Sequence, residues 1–155
     1  VAAELQTEVV PFVEKNKITY FLNETNCKQI RYSNKEAASP KGCAYIWNVT
    51  EDSKKDIPEF TDEDESIFSE LVNLLVGVSA RRIVSVGLEY PVYYRPEHAS
   101  LLHQPQGLAF DVKCGFCRTR YVYAPDYQEL PPEIEFEIWY RPINKDWYRV
   151  EQDWN

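Results

Sequence analysis

The chain has 155 residues, 44% of them hydrophobic and 14% aromatic, and a formal net charge of −8. That length suits one α+β domain over residues 1–155 with a core of its own, and the apolar content excludes a disordered tail. The acidic balance argues against nucleic acid as partner, because a nucleic-acid reader presents a basic field.

The chain opens on Val1 and contains no methionine, so it reads as a processed or trimmed product, which allows for a removed signal or anchor. No stretch is apolar for long enough to span a membrane; the longest, "LVNLLVGVSA" at 71–80, is interrupted by Asn73.

Residues 1–15 are ambiguous. Leu5, Val9 and Phe12 have helical spacing, but Pro11 interrupts a helix interior. "ITYFLN" (18–23) and "CAYIWNVT" (43–50) are strand-like, and the polar "SNKEAASPKG" between them reads as a loop. Residues 51–61 are charged and irregular.

The clearest helix covers about 62–80. Thr61 is the N-cap candidate with Asp64 three residues on, and acidic residues 62–65 fill the first turn, where the helix dipole favours carboxylates. Ile67, Phe68, Leu71, Leu74, Leu75 and Val78 form its apolar face, and Arg81 and Arg82 close the last turn. "RIVSVGLEY" (82–90) is a strand, and a proline-rich connection follows over 91–107. Two hairpins complete the chain, at 107–124 and 133–151. In the second, Ile134, Phe136, Ile138 and Tyr140 alternate with Glu133, Glu135, Glu137 and Trp139, giving one buried and one wet face.

This order predicts an antiparallel sheet of about five to six strands packed on one main helix. The layout is similar to cystatin-like and NTF2-like folds, an analogy of architecture that implies no function.

The hairpin at 107–124 has a definite expected register. Gly115-Phe116 suits a two-residue type II′ loop, whose first position needs positive φ. Cys114 then faces Cys117, Lys113 faces Arg118, Asp111 faces Arg120, and Phe110 faces Tyr121. Opposed Cα atoms in such a ladder lie roughly 5.5 Å apart, within the reach of a disulfide. A thioredoxin-like centre expects its first cysteine at a helix N-terminus, whereas a β-forming run follows here. A zinc site needs four ligands, and neither Cys27 with Cys43 nor His98 with His103 has the spacing of a second knuckle.

The simplest reading is two disulfides, Cys27–Cys43 and Cys114–Cys117, and hence a periplasmic or secreted protein. Thiol-redox or zinc chemistry at Cys114 and Cys117 is the alternative. "NET" at Asn23 and "NVT" at Asn48 match the glycosylation acceptor pattern.

No catalytic constellation, cofactor motif or metal set emerges. Glu97, His98, Ser100 and His103 lie in one connection without a nucleophile turn around them, and there is no glycine-rich phosphate loop. Aromatics gather instead in the last hairpin, at Trp139, Trp147, Tyr148 and Trp154, with Arg141 and Arg149 among them, a composition that suits a protein interface. The basic residues Lys113, Arg118 and Arg120 form a second candidate surface. The functional expectation is a non-enzymatic, extracytoplasmic module that binds a protein partner through its sheet.

Overall fold

A computed structural model of the chain describes residues 1–43, 56–78, 82–88, 107–114, 117–131, 133 and 138–153. The fold is sheet-rich α+β. Among the described residues it carries eight strands, more than the five to six expected, and the β1–β2, β2–β3, β5–β6, β6–β8 and β7–β8 pairs are antiparallel. Two compact units divide at Val86–Gly87.

The first unit opens with a helical segment where the sequence was ambiguous: α1 (Ala2–Glu4), a π-helical turn (Leu5–Val9) and α2 (Val10–Lys15). The π turn accommodates Pro11. The Val10 N–H reaches back to the Leu5 carbonyl, five residues away, and this rephasing puts Pro11 at the start of a new helix, where no proline N–H is required. Leu5, Val9, Val10 and Val13 are buried.

Three strands follow: β1 (Ile18–Glu24), β2 (Cys27–Tyr32) and β3 (Lys35–Ser39). The polar stretch expected to be a loop is therefore largely a hairpin. Tyr32 pairs with Lys35, and the two residues between them, Ser33 and Asn34, have φ of 47° and 63°. Positive φ at both central positions defines a type I′ turn, whose twist matches that of the flanking strands. With β4 (Ile83–Leu88), the order in this unit is β3-β2-β1-β4.

The main helix, α3, spans Asp62–Val78. Its start is as the sequence predicts. The Thr61 N–H donates to Asp64 Oδ2 at 2.9 Å, and the Asp64 N–H donates to Thr61 Oγ1 at 3.2 Å, a reciprocal capping box. Phe68, Leu71, Leu75 and Val78 are buried, with Ile67 and Leu74 at the margins. Phe68 lies 4.8 Å from Phe21 of β1 between ring centroids, and Lys28 sits over its ring, so the helix packs on the β1–β2 face. Arg82 lies beyond the helix, donating to the Asn23 carbonyl at 3.0 Å.

In the second unit the order is β5-β6-β8-β7, from β5 (Leu108–Cys114), β6 (Cys117–Tyr123), β7 (Ile138–Pro142) and β8 (Trp147–Asp153). The β5–β6 pairing follows the register read from the sequence, from Leu108 with Tyr123 to Cys114 with Cys117. Both faces of this sheet carry apolar residues. Ala109, Val122, Ile138, Tyr140, Tyr148 and Val150 form one cluster, overlaid by Ala124, Tyr127 and Leu130. On the other face Phe110, Val112 and Trp147 are buried. The proposed strand at 43–50 lies outside the described residues beyond Cys43, as do Ile134 and Phe136 of the last hairpin.

Candidate functional site

Of the four cysteines, Cys27 and Cys43 are joined by a disulfide, with Cα atoms 5.8 Å apart and a sequence separation of 16. Cys27 starts β2 and is 1% exposed; Cys43 follows β3 and packs with Ala38 and Ile57. The bond therefore clips the β2–β3 hairpin to the chain leaving it. Cys114 and Cys117 are directly paired in the β5–β6 ladder. Among the described residues no group of three or more His, Cys, Asp or Glu is placed to hold a metal ion, and no helix is long and apolar enough to cross a membrane. Glu97, His98, Ser100, His103, Asn48 and Trp154 lie outside the described residues.

The aromatic residues of the last hairpin part company. Trp147 is fully buried, 6.0 Å from Phe110 and 5.1 Å from Tyr123 between centroids. Tyr148 points to the opposite side, into the cluster with Tyr140 and Tyr127. Both are thus core residues. Trp139 remains half-exposed on β7, paired with Glu151.

Arg141, one rung further, stands directly opposite Arg149, and Arg149 also pairs with Tyr121 of β6. Two like charges at one rung repel, and each arginine is held by its own carboxylate. Arg141 Nη1 lies 2.6 Å from Glu133 Oε1, and Arg149 Nε lies 3.0 Å from Glu151 Oε1. The Arg149 Nε–H does not point along that approach and makes no hydrogen bond, so the contact is an ion pair only. Trp139, Tyr121, Arg141 and Arg149 share one side of the sheet because strand residues alternate and opposed residues face the same way.

The end of this sheet is also shielded. The Tyr140 N–H donates to Glu133 Oε1 at 3.4 Å, so it points away from β8. Pro142, two residues on, has the same orientation and no N–H to offer. A second chain thus finds few free backbone donors along β7, which favours contact through side chains over strand addition.

Of the basic trio, Arg118 and Arg120 are engaged within the sheet. Arg118 Nη2 lies 3.0 Å from Asp111 Oδ2, and Arg120, 7% exposed, lies 4.0 Å from Asp111 Oδ1 and also reaches Gln152. Asp111 thus sits between two arginines on the covered side of the hairpin. The side chain of Lys113 is outside the described set.

The first unit contains an open cleft of about 890 Å³, which sequence reasoning missed. It is lined by Lys35, Ile57, Pro58, Thr61 and the carboxylates Glu36, Asp56, Glu59, Asp62, Glu63 and Asp64. Asp64, 6% exposed, also accepts a hydrogen bond from the Tyr32 hydroxyl at 2.5 Å. Burial alone would raise the Asp64 pKa, but the Thr61 backbone N–H, the Tyr32 hydroxyl, the Thr61 side chain and the charge of Lys35 together hold it below its ordinary value. Burial, and then the carboxylate it donates to, pushes the Tyr32 hydroxyl well above its ordinary range, so it stays a donor. This arrangement ties the helix start to the sheet, with Tyr32 donating to one oxygen of the Asp64 carboxylate and the Thr61 N–H to the other.

Compared with known proteins, the chain significantly matches no family model, no curated protein and no solved structure.

Proposed function

We propose that the chain is a non-enzymatic binding or assembly module that meets a protein partner through the β7–β8 side of its second unit, outside the reducing cytosol. The observation that carries this reading is the half-exposed Trp139 on an end strand, one rung from the directly opposed Arg141 and Arg149. Tryptophan and arginine dominate interface energetics because they combine large contact area with directional donors. A partner carboxylate inserted between the two guanidinium groups would relieve their repulsion and accept from both. The shielded backbone of β7 supports recognition by side chains. The Cys27–Cys43 bond supports an oxidising address, since such bonds persist where glutathione does not reduce them.

The test is photo-crosslinking from position 139 in the source cells, with a probe at the exposed Gln128 as control. A discrete adduct with another protein, suppressed by the R141E/R149E substitution and competed by unlabelled protein, supports the reading. The same adducts from both positions, or none from position 139, refutes it.

A further inference from the structure

We infer that Cys114 and Cys117 form a second disulfide, one that opens and closes in the folded protein, whereas Cys27–Cys43 is a permanent clip. The inference stands apart from the partner-binding reading. It begins from register: Cys114 and Cys117 are direct partners in the β5–β6 ladder, at its last rung, with two residues connecting them. Directly opposed residues of an antiparallel pair present their Cβ atoms to the same side, with Cα atoms roughly 4.5–5.5 Å apart, inside the range a disulfide spans. The bond thus closes across a distance that the ladder already sets.

Loop size separates the two pairs. Cys27 is 1% exposed, and the bond it makes spans a separation of 16 residues. In the chain-entropy account a cross-link stabilises the fold by restricting the unfolded chain, and more so for a longer loop. Closing about four residues restricts it less. Loss of the tip bond should therefore lower the folding equilibrium constant roughly tenfold less than loss of Cys27–Cys43. The bond whose loss costs the fold less is the one that can open while the rest of the chain stays folded.

The step is thiol–disulfide exchange with a small-molecule disulfide. A thiolate of the pair attacks one sulfur of that disulfide, forming a mixed disulfide and expelling one thiolate. The second cysteine's thiolate then attacks the protein sulfur of the mixed bond and expels the other. Two electrons pass to the small-molecule disulfide, which leaves as two thiols carrying the two protons lost by Cys114 and Cys117. The reverse sequence, with two thiols, opens the bond.

To test this, the folded protein is equilibrated with oxidised glutathione, then exposed to reduced glutathione for increasing times, alkylated in acid-quenched samples and mapped by peptide mass. The inference expects a Cys114–Cys117 bond after oxidation, and alkylation of both residues at least tenfold faster than of Cys27 and Cys43. In parallel, the C114S/C117S and C27S/C43S variants are compared by denaturant unfolding, with the former expected to lose roughly tenfold less in the folding constant. Free thiols at 114 and 117 after oxidation, equal or reversed reduction order, or an equal stability loss in the tip variant overturns it. Should C27S/C43S fail to fold, the reduction order on the unaltered protein still decides.

Discussion

Replacing Tyr32 with Phe removes one hydroxyl and leaves the ring in place, which makes it the sharpest probe of how the main helix is anchored. Tyr32 is 4% exposed and donates to Asp64, itself 6% exposed, at 2.5 Å. Hydrogen bonds to charged groups in such settings contribute about 1.5–3 kcal/mol, and a buried acceptor left without its donor bears the desolvation cost. A loss of about 2 kcal/mol is therefore expected near neutral pH, a fall in Tm of roughly 4–8 °C for a chain of this size. Urea unfolding followed by far-UV circular dichroism measures it, and an unchanged m-value confirms that the shift is one of stability.

The pH dependence gives a second readout. Because the folded Asp64 pKa lies below its ordinary value of 3.8, the unfolded chain binds the proton more readily than the folded one. The stabilisation is complete above that ordinary value and is lost as pH falls through the depressed folded value. The gap between wild type and Tyr32→Phe should narrow over that acid window. A variant within about 0.5 kcal/mol of wild type at neutral pH, or a gap constant into acid, would refute the reasoning.

Two further substitutions probe the second unit. A Cβ on Gly107 would lie 2.5 Å from Val122 Cγ1 and 3.1 Å from the Tyr123 carbonyl oxygen, so Gly107→Ala should cost about 1–3 kcal/mol in denaturant unfolding, partly recovered when Val122 is also shortened to Ala. Asp111→Ala leaves Arg120 buried beside an absent carboxylate and should cost about 3 kcal/mol, while Arg118→Ala, at the exposed side of the same carboxylate, should cost under about 1 kcal/mol; equal losses would show that Asp111 does not compensate a buried charge.

Local chemistry made some elements legible. The β5–β6 hairpin was readable because alternation and a glycine-led loop allow one register that keeps Phe110 and Val112 on a common face, and the structure adopts it. Thr61 and Asp64 announced the start of α3 because a capping box is a property of adjacent residues. What escaped depends on more distant partners. Ser33-Asn34 was hidden as a turn because Lys35–Ser39 is polar and alanine-rich, and only burial of Ala37 and Ala38 reveals it as a strand. The N-terminal helix was obscured by Pro11, whose cost the π turn removes.

The candidate surface shows the same limit. The sequence gathered Trp139, Trp147 and Arg149 in one hairpin, but only the packing of Phe110 and Tyr123 reveals that Trp147 is core, while Trp139 is half-buried. The link between Tyr32 and Asp64 spans 32 residues and leaves no local signature.

The most direct test of the account is the state of Cys27 and Cys43 in protein taken from its source cells under acid quench, alkylated after denaturation without reductant and weighed as peptides. The account predicts both residues unalkylated and their peptides covalently joined, as the 5.8 Å Cα separation allows. Two alkylated residues in separate peptides would contradict the clip, and with it the extracytoplasmic address.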